Sequence, residues 1–247
     1  MARTILVGLL LGIEMFFILI LYLIYLVLET FSKKAAKNFV YIVSRYWSIQ
    51  ALSVGGIKLE VNGREKLPES NQVVFISNHQ SYLDIPILLD AIPKFIGFIA
   101  KTELNKMPFI NIWMRALKCA LIDRKNPAEA IEKIQSRIKL VEKGYPVVLF
   151  PEGTRSQNGN LGKFKTAGLR LFYESDLILV PVTIDGSYKI FENSKTLKRG
   201  KIIVTIHPPI CNKKEVAEDY KKMAEYCKRQ IHSGFANAEK QQRLIQK

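Results

Sequence analysis

VVFISNHQSYLDIP, residues 73–86, changes character twice. The apolar run at its start reads as a strand buried on both faces. The cluster NHQSYLD, residues 78–84, is polar, and Pro86 then favours the first turn of a helix beginning near Asp84. Strand, polar loop and helix in that order form the unit of an α/β sheet. In such sheets, ligand sites gather beyond the carboxyl ends of the strands.

Outward from this stretch the alternation repeats. Strands are expected at IKLEV (57–61), VVFIS (73–77), FIGFIA (95–100), ALI (120–122), VVLF (147–150), LILVPVTI (177–184) and IIVTI (202–206). Helices are expected over 85–91, 109–118, 127–143, 165–175 and 213–231. The pattern predicts an α/β fold: a mixed, largely parallel central sheet flanked by helices, with no repeat and no long linker. Four polar clusters follow strands, at NHQSYLD, KTEL (101–104), DR (123–124) and PEGTRS (151–156), so the sheet can bring them to one edge.

The amino-terminal region is different. From Ile5 to Leu28 the only charged residue is Glu14, and about 20 apolar residues in a helix cross the hydrocarbon of a bilayer. The run ends at Leu28-Glu29-Thr30 and not at small residues, which favours a retained segment over a cleaved signal peptide. In residues 31–52, a turn of about 100° per residue places Lys33, Lys34, Lys37 and Arg45 on one arc, opposite Phe31, Ala35, Phe39, Ile42, Tyr46 and Ile49. This predicts a helix in the membrane interface with its basic face toward lipid headgroups; packing on a soluble core is the competing reading. Residues 1–54 are therefore expected to form a membrane-embedded helical pair, and 55–247 the α/β domain. The basic residues that follow the apolar run place the body on the cytoplasmic side, whether the first helix spans or only dips in. Glu14, costly in lipid, is expected to be neutral or paired with protein.

Lys and Arg number 37 against 22 Asp and Glu, a formal charge of +15. That excess suits anionic lipid, phosphorylated substrates or acidic carrier proteins. No stretch interleaves basic residues with base-stacking aromatics, which argues against nucleic acid. Cys119, Cys211 and Cys227 have no CxxC spacing and no clustered histidines, so neither a disulfide framework nor a metal site is expected.

His79 and Asp84 supply the chemistry. A neutral imidazole accepts a proton on one nitrogen when the other carries hydrogen, and a carboxylate facing that second nitrogen fixes the tautomer. Five positions apart on an ideal helix the two side chains diverge by about 140°, so the pair needs a bend, which the expected helix start at Asp84 provides. Taken alone, the two residues fit equally an aspartate that caps a helix and an ordinary loop histidine. No GxSxG elbow is present, and Ser81 is too near His79 along the chain to be an obvious nucleophile. A base without a protein nucleophile points to activation of a substrate hydroxyl and direct transfer between two bound substrates. PEGTRS offers Gly153, which lets backbone approach a ligand, and Arg155, whose fork matches phosphate; Lys101 and Arg124 add charge of the same sign. Alone, Lys101 reads as a solvated lysine and Arg124 as the partner of Asp123. GNLGKFKT, residues 159–166, fails as a phosphate loop because Gln157 stands where GxxxxGK requires glycine.

Together these residues resemble the glycerolipid acyltransferase family, most closely its bacterial 1-acylglycerol-3-phosphate acyltransferases. NHQSYLD matches the first motif, KTELNKMPFI with IDR (122–124) resembles the second, FPEGTRS (150–156) matches the third, and VPV (180–182) resembles the fourth. The resemblance implies that His79 deprotonates the sn-2 hydroxyl of lysophosphatidic acid while Asp84 orients the ring. It implies that the alkoxide attacks an acyl thioester on acyl carrier protein or coenzyme A, with no cofactor and no metal. Lys101, Arg124 and Arg155 would hold the phosphate; Asn78, Glu152, Gly153 and Thr154 would serve oxyanion stabilisation and substrate positioning; Pro181 would border the acyl pocket. The enzyme would sit on the cytoplasmic face of the inner membrane. The family often carries glycine where Asn111 and Lys118 stand here. Another lysophospholipid, a lyso-ornithine lipid or glycerol 3-phosphate is the competing acceptor.

Overall fold

The computed structural model describes the backbone of residues 2–245; the side chains of residues 2, 3, 7, 10–12, 14–16 and 18, Glu14 among them, and those beyond 235 lie outside the described residues. Two long helices lead, α1 (Ala2–Phe31) and α2 (Lys33–Val54), joined at Ser32, whose hydroxyl caps α2 by accepting from the Ala35 N–H at 3.2 Å. The α/β body follows in the order β1 (Ile57–Asn62), β2 (Val73–Ser77), α3 (Asp84–Ala91), β3 (Gly97–Lys101), α4 (Ile110–Ala116), β4 (Ala120–Ile122), α5 (Pro127–Glu142) and β5 (Val147–Leu149). It continues with α6 (Thr166–Tyr173), β6 (Ile178–Asp185), α7 (Ser187–Ile190), β7 (Gly200–Ile206), α8 (Lys213–Val216) and α9 (Tyr220–Ile245). The helix expected over 213–231 is broken after Val216, and its second part runs on to Ile245.

The strands form one seven-stranded sheet in the order β1-β7-β6-β2-β5-β3-β4. Neighbours run parallel except β6 and β7, where Thr183 faces Thr205. The carboxyl ends of β6, β2, β5, β3 and β4 therefore share one edge, and the four polar clusters all leave the sheet there. Central β2 is buried at every position, and this is why it reads as an unbroken apolar run. Truncating Phe75, fully buried at its centre, to Ala should cost about 3–5 kcal/mol.

Each face of the sheet carries its own core. One contains Val180, Val182, Phe75 and Phe98 against α2, α3 and α4; the other contains Val74, Ile76 and Leu179 against α5, α6 and α9. Alternation along β6 thus directs Pro181 with Leu179 to the α9 face.

The orientation of α2 overturns the expected basic face toward lipid. Ala36, Val40, Val43 and Leu52 are buried against the body, and Lys37 and Arg45 of the basic arc turn to that side, while Lys33 and Lys34 are exposed. Lys37 donates to the Gly144 carbonyl and lies 4.8 Å from the Tyr145 ring centroid, and Arg45 lies 3.9 Å from Asp90. Ile42 (62% exposed), Tyr46 (64%) and Ile49 (42%) face outward instead. The Lys37 ammonium and the Arg45 guanidinium find protein carbonyl and carboxylate partners, leaving Phe31, Ile42, Tyr46 and Ile49 of the apolar side uncovered, whereas Phe39 packs against the core. On α1, Leu9, Ile13, Phe17, Ile20 and Leu23 are exposed as well. Among the described residues no helix is long and apolar enough to cross a membrane.

Candidate active site

The loop after β2 is fixed by backbone bonds before any chemistry is considered. The Asn78 side chain imitates a strand neighbour: its Nδ2 donates to the Ile184 carbonyl and its Oδ1 accepts the Ile184 N–H, both at 2.8 Å. The His79 N–H donates to Glu152 Oε1 at 2.8 Å, and the His79 carbonyl accepts from the Ser156 N–H at 2.8 Å. The first and third motifs, 73 residues apart at that contact, are therefore stitched together. This follows from the sheet, since β5 lies beside β2.

Within this frame His79 Nδ1 lies 2.7 Å from Asp84 Oδ2. The same oxygen accepts the N–H groups of Gln80 at 2.6 Å and Ser81 at 2.9 Å, which is the turn geometry that begins α3. Asp84, the first residue of α3, therefore ties down the preceding loop and holds the histidine, and it does not cap the helix, whose N-cap Leu83 makes no side-chain cap bond. A carboxylate so surrounded only accepts, so Nδ1 carries the hydrogen and Nε2 carries the lone pair. Among the described residues Nε2 has no partner. The ring stacks on Phe150 with centroids 4.2 Å apart and stays 18% exposed.

Beyond Phe150 the ring column continues to Phe98, 6.4 Å between centroids, and Phe98 walls an apolar cavity of about 460 Å³. Its other walls include Val43 and Trp47 of α2, Leu89 of α3, and Trp113 and Met114 of α4, with Tyr82 contributing from the loop that carries His79. Residues 109–119 contribute heavily to this cavity. Lys118 adopts φ +53°, the conformation glycine would supply, and its ammonium is taken up by Glu29 and by the Tyr25 hydroxyl of α1. Asn111 is an ordinary member of α4 whose amide reaches the Asn105 carbonyl at 3.1 Å. Burial pushes the Cys119 thiol at the cavity wall up to about 11. Pro181 is not among the walls, because it points to the opposite face of the sheet.

Arg155, Lys101 and Arg124 lie at or beyond the ends of three different strands of the carboxyl edge. Arg155 turns toward β6: its Nη1 donates to Glu192 at 2.7 Å and its guanidinium lies 3.5 Å from the Tyr82 ring centroid. Glu192 is buried and also accepts from the Tyr82 N–H at 3.2 Å and from Lys195 at 3.2 Å. Burial pushes its carboxyl up, but Tyr82, Lys195 and Arg155 together hold it below the usual carboxylate range. Lys101 ends β3 and Arg124 lies two residues past β4, strands that stand about 10 and 14 Å from β2 along the edge at the ordinary strand spacing. Arg124 makes no ion pair with Asp123, whose carboxylate accepts from the Lys125 N–H instead. Burial lowers the Arg124 guanidinium somewhat, opposed by Glu103.

Glu152 and Gly153 build the turn beside the dyad. Glu152 Oε2 accepts the Gly162 N–H at 2.8 Å, so both of its oxygens hold backbone. Burial raises its carboxyl, with the N–H groups of His79 and Gly162 opposing. Gly153 has φ +69° and its N–H donates to the Phe150 carbonyl at 3.0 Å. Thr154 makes no hydrogen bond among the described residues. The GNLGKFKT stretch, which holds no nucleotide motif, wraps this turn: the Lys165 N–H donates to the Pro151 carbonyl at 2.7 Å, and a Cβ on Gly153 would meet Lys165 Nζ at 3.2 Å. Lys165, Ser187 and Glu192 escaped the sequence reading.

This arrangement has relatives. The acyltransferase family model matches residues 58–185, about half of the chain. The chain belongs to the acyltransferase family. This acyltransferase is similar to a chloroplastic 1-acyl-sn-glycerol-3-phosphate acyltransferase of Arabidopsis thaliana, 33% identical over 178 residues, covering 70% of this chain and 49% of that one. It is similar to a probable 1-acyl-sn-glycerol-3-phosphate acyltransferase of Mycoplasma pneumoniae, 33% identical over 156 residues, covering 61% and 58%. The chain spans about half the length of the curated plant relatives it matches. Among solved structures, the 1-acyl-sn-glycerophosphate acyltransferase PlsC from Thermotoga maritima superposes with a TM-score of 0.78 at 25% identity, covering 96% of this chain and 98% of that one.

Proposed function

We propose that this acyltransferase moves an acyl group from a thioester, acyl carrier protein or coenzyme A, onto the sn-2 hydroxyl of lysophosphatidic acid, giving phosphatidic acid without a cofactor. The observation that carries the reading is an imidazole with its lone-pair nitrogen open and its other nitrogen held by Asp84, joined through Phe150 to an apolar cavity. Nε2 takes the hydroxyl proton as the substrate oxygen attacks the thioester carbon. The tetrahedral oxyanion collapses, the C–S bond breaks, and the imidazolium returns the proton to the departing thiolate. The acyl chain lies in the cavity.

Since the Gly153 N–H is engaged, the oxyanion donor in this reading is the neighbouring Thr154 N–H, with Asn78, Glu152 and Gly153 shaping the loops. Arg155, Lys101 and Arg124 give the carboxyl edge its positive charge and hold the acceptor phosphate. The exposed apolar side chains of α1 and α2 support insertion of residues 1–54 into the cytoplasmic leaflet of the membrane, with 55–247 as the acyltransferase domain. The net charge of +15 favours an anionic surface.

The deciding experiment offers the purified protein lysophosphatidic acid, glycerol 3-phosphate, lysophosphatidylcholine and a lyso-ornithine lipid with each donor. Preference for lysophosphatidic acid supports the proposal; equal turnover of the acceptor lacking phosphate would end it.

A further inference from the structure

The family model stops at Asp185, and two residues later the chain touches the dyad. The Ser187 hydroxyl donates to Asp84 Oδ1 at 2.6 Å, across 103 positions of sequence. Both residues are fully buried. The partners of Asp84 divide unequally: Oδ2 takes His79, Gln80 and Ser81, all from its own loop, whereas Oδ1 has Ser187 as its partner. A carboxylate anchored through one oxygen can still swing about its Cβ–Cγ bond. A donor on the second oxygen stops that swing and satisfies an acceptor that would otherwise be buried alone.

The backbone delivers this hydroxyl with little freedom. β6 lies beside β2, with Ser77 opposite Val182, and the Asn78 side chain pairs with both polar groups of Ile184. Gly186, at φ +95°, then turns the chain so that Ser187 comes back over the end of β2. The hydroxyl hydrogen is given to Asp84 and not aligned with His79 Nε2, so Ser187 is not a nucleophile.

We infer that Ser187 is a positioning residue for the His79–Asp84 dyad: it locks the carboxylate in the rotation that holds Nδ1–H, and so keeps Nε2 aimed at the substrate hydroxyl. This rests on the acyl-transfer reading for its kinetic consequence, but not for its spectroscopic one.

The test compares wild type, Ser187→Ala and Ser187→Cys, with Thr183→Val as a control that removes another buried hydroxyl from β6, one bonded to His207 at 2.8 Å. In protein carrying labelled histidine, the His79 Nδ1–H proton resonance is expected far downfield in wild type. It should shift or broaden in Ser187→Ala and stay in place in Thr183→Val. With lysophosphatidic acid, kcat should fall about tenfold while KM stays within about twofold, the loss expected for one buried hydrogen bond. Ser187→Cys, a close steric match with a weak donor, should fall between and serves if the Ala variant does not fold. An unchanged resonance with unchanged kcat in either folded variant overturns the assignment. Wild-type protein with no transfer activity on any acceptor would instead refute the acyl-transfer reading, and the resonance would still decide Ser187.

Discussion

Replacing Asp84 by Asn separates the charge of the dyad from its geometry. An amide in place of the carboxylate can orient in two ways. With its NH₂ at the Oδ2 position it would confront the N–H groups of Gln80 and Ser81, donor against donor. With its NH₂ at the Oδ1 position it meets Ser187, whose hydroxyl rotates to accept, and the amide oxygen still receives Gln80, Ser81 and His79 Nδ1–H. The second orientation wins, so the fold, the ring tautomer and the open Nε2 all survive. What disappears is the negative charge facing the imidazolium that forms in the transition state. Two unit charges about 4 Å apart at an effective dielectric constant of about 20 attract by about 4 kcal/mol, which is about three decades in rate. Solvent reaching the part-exposed ring weakens that term, so the expected loss in kcat is about 10²- to 10³-fold, with the lysophosphatidic acid KM and the thermal midpoint close to wild type. Single-turnover acyl transfer, followed by thiol release from acyl coenzyme A, measures it. An Asp84→Asn variant retaining more than a tenth of the wild-type rate, or one whose defect lies in acceptor KM, would show that His79 does not work as a charge-supported base.

Four further outcomes follow from the geometry. Gly153→Ala should lower stability by about 1–3 kcal/mol, because it forces a side chain to φ +69° and against Lys165 at 3.2 Å; a chemical-denaturation curve reads the loss. Ala100→Phe, at a cavity wall, should shift donor preference toward shorter chains. Each displaced methylene forfeits about 0.8 kcal/mol, so losing two slows long-chain donors by about tenfold or more in a competition assay. Arg155→Ala should raise KM for lysophosphatidic acid far more than for an acceptor lacking phosphate, and equal loss on both would rule out phosphate contact. Glu192 has a folded pKa below its unfolded value, so its contribution is present above the unfolded carboxylate range, about pH 4.3, and is lost as pH falls through the folded value. Glu152, raised by burial, has the opposite slope but is common to both proteins compared. Thermal midpoints from pH 6 down to about pH 3 should therefore fall more steeply for wild type than for Glu192→Gln.

Much of the sheet was legible because parallel strands buried on both faces leave unbroken apolar runs: VVFIS occupies β2 without a residue to spare, and ALI is β4. The dyad was legible because His79 and Asp84 share one short loop. Partners that arrive from far along the chain were not. Ser187 and Glu192 approach from beyond β6, and a Gly-Ser turn gives no sign of which carboxylate it will meet. Pro181 went astray for a reason the sequence did contain: Val180 and Val182 belong to the cavity-side core, so period-two alternation sends the residue between them to the other side. For α2 the two arcs were separated, but Lys37 and Arg45 turn inward and Ile42, Tyr46 and Ile49 outward, the reverse of the expectation for those residues. A helical wheel separates basic from apolar residues but cannot know that the Gly144 carbonyl and Asp90 wait beneath the basic arc.

The cavity shares its roof with the two amino-terminal helices. Val43 and Trp47 of α2 close it, and Tyr22 of α1 braces Trp113 edge-on, 6.2 Å between ring centroids. A truncated version cut at residue 54 would therefore lose walls of its apolar chamber, Val43 and Trp47 among them, and would be a collapsed remnant instead of a smaller catalyst. A variant with a more polar surface needs both helices retained and their outward side chains, Ile42, Tyr46 and Ile49 first, exchanged for polar ones.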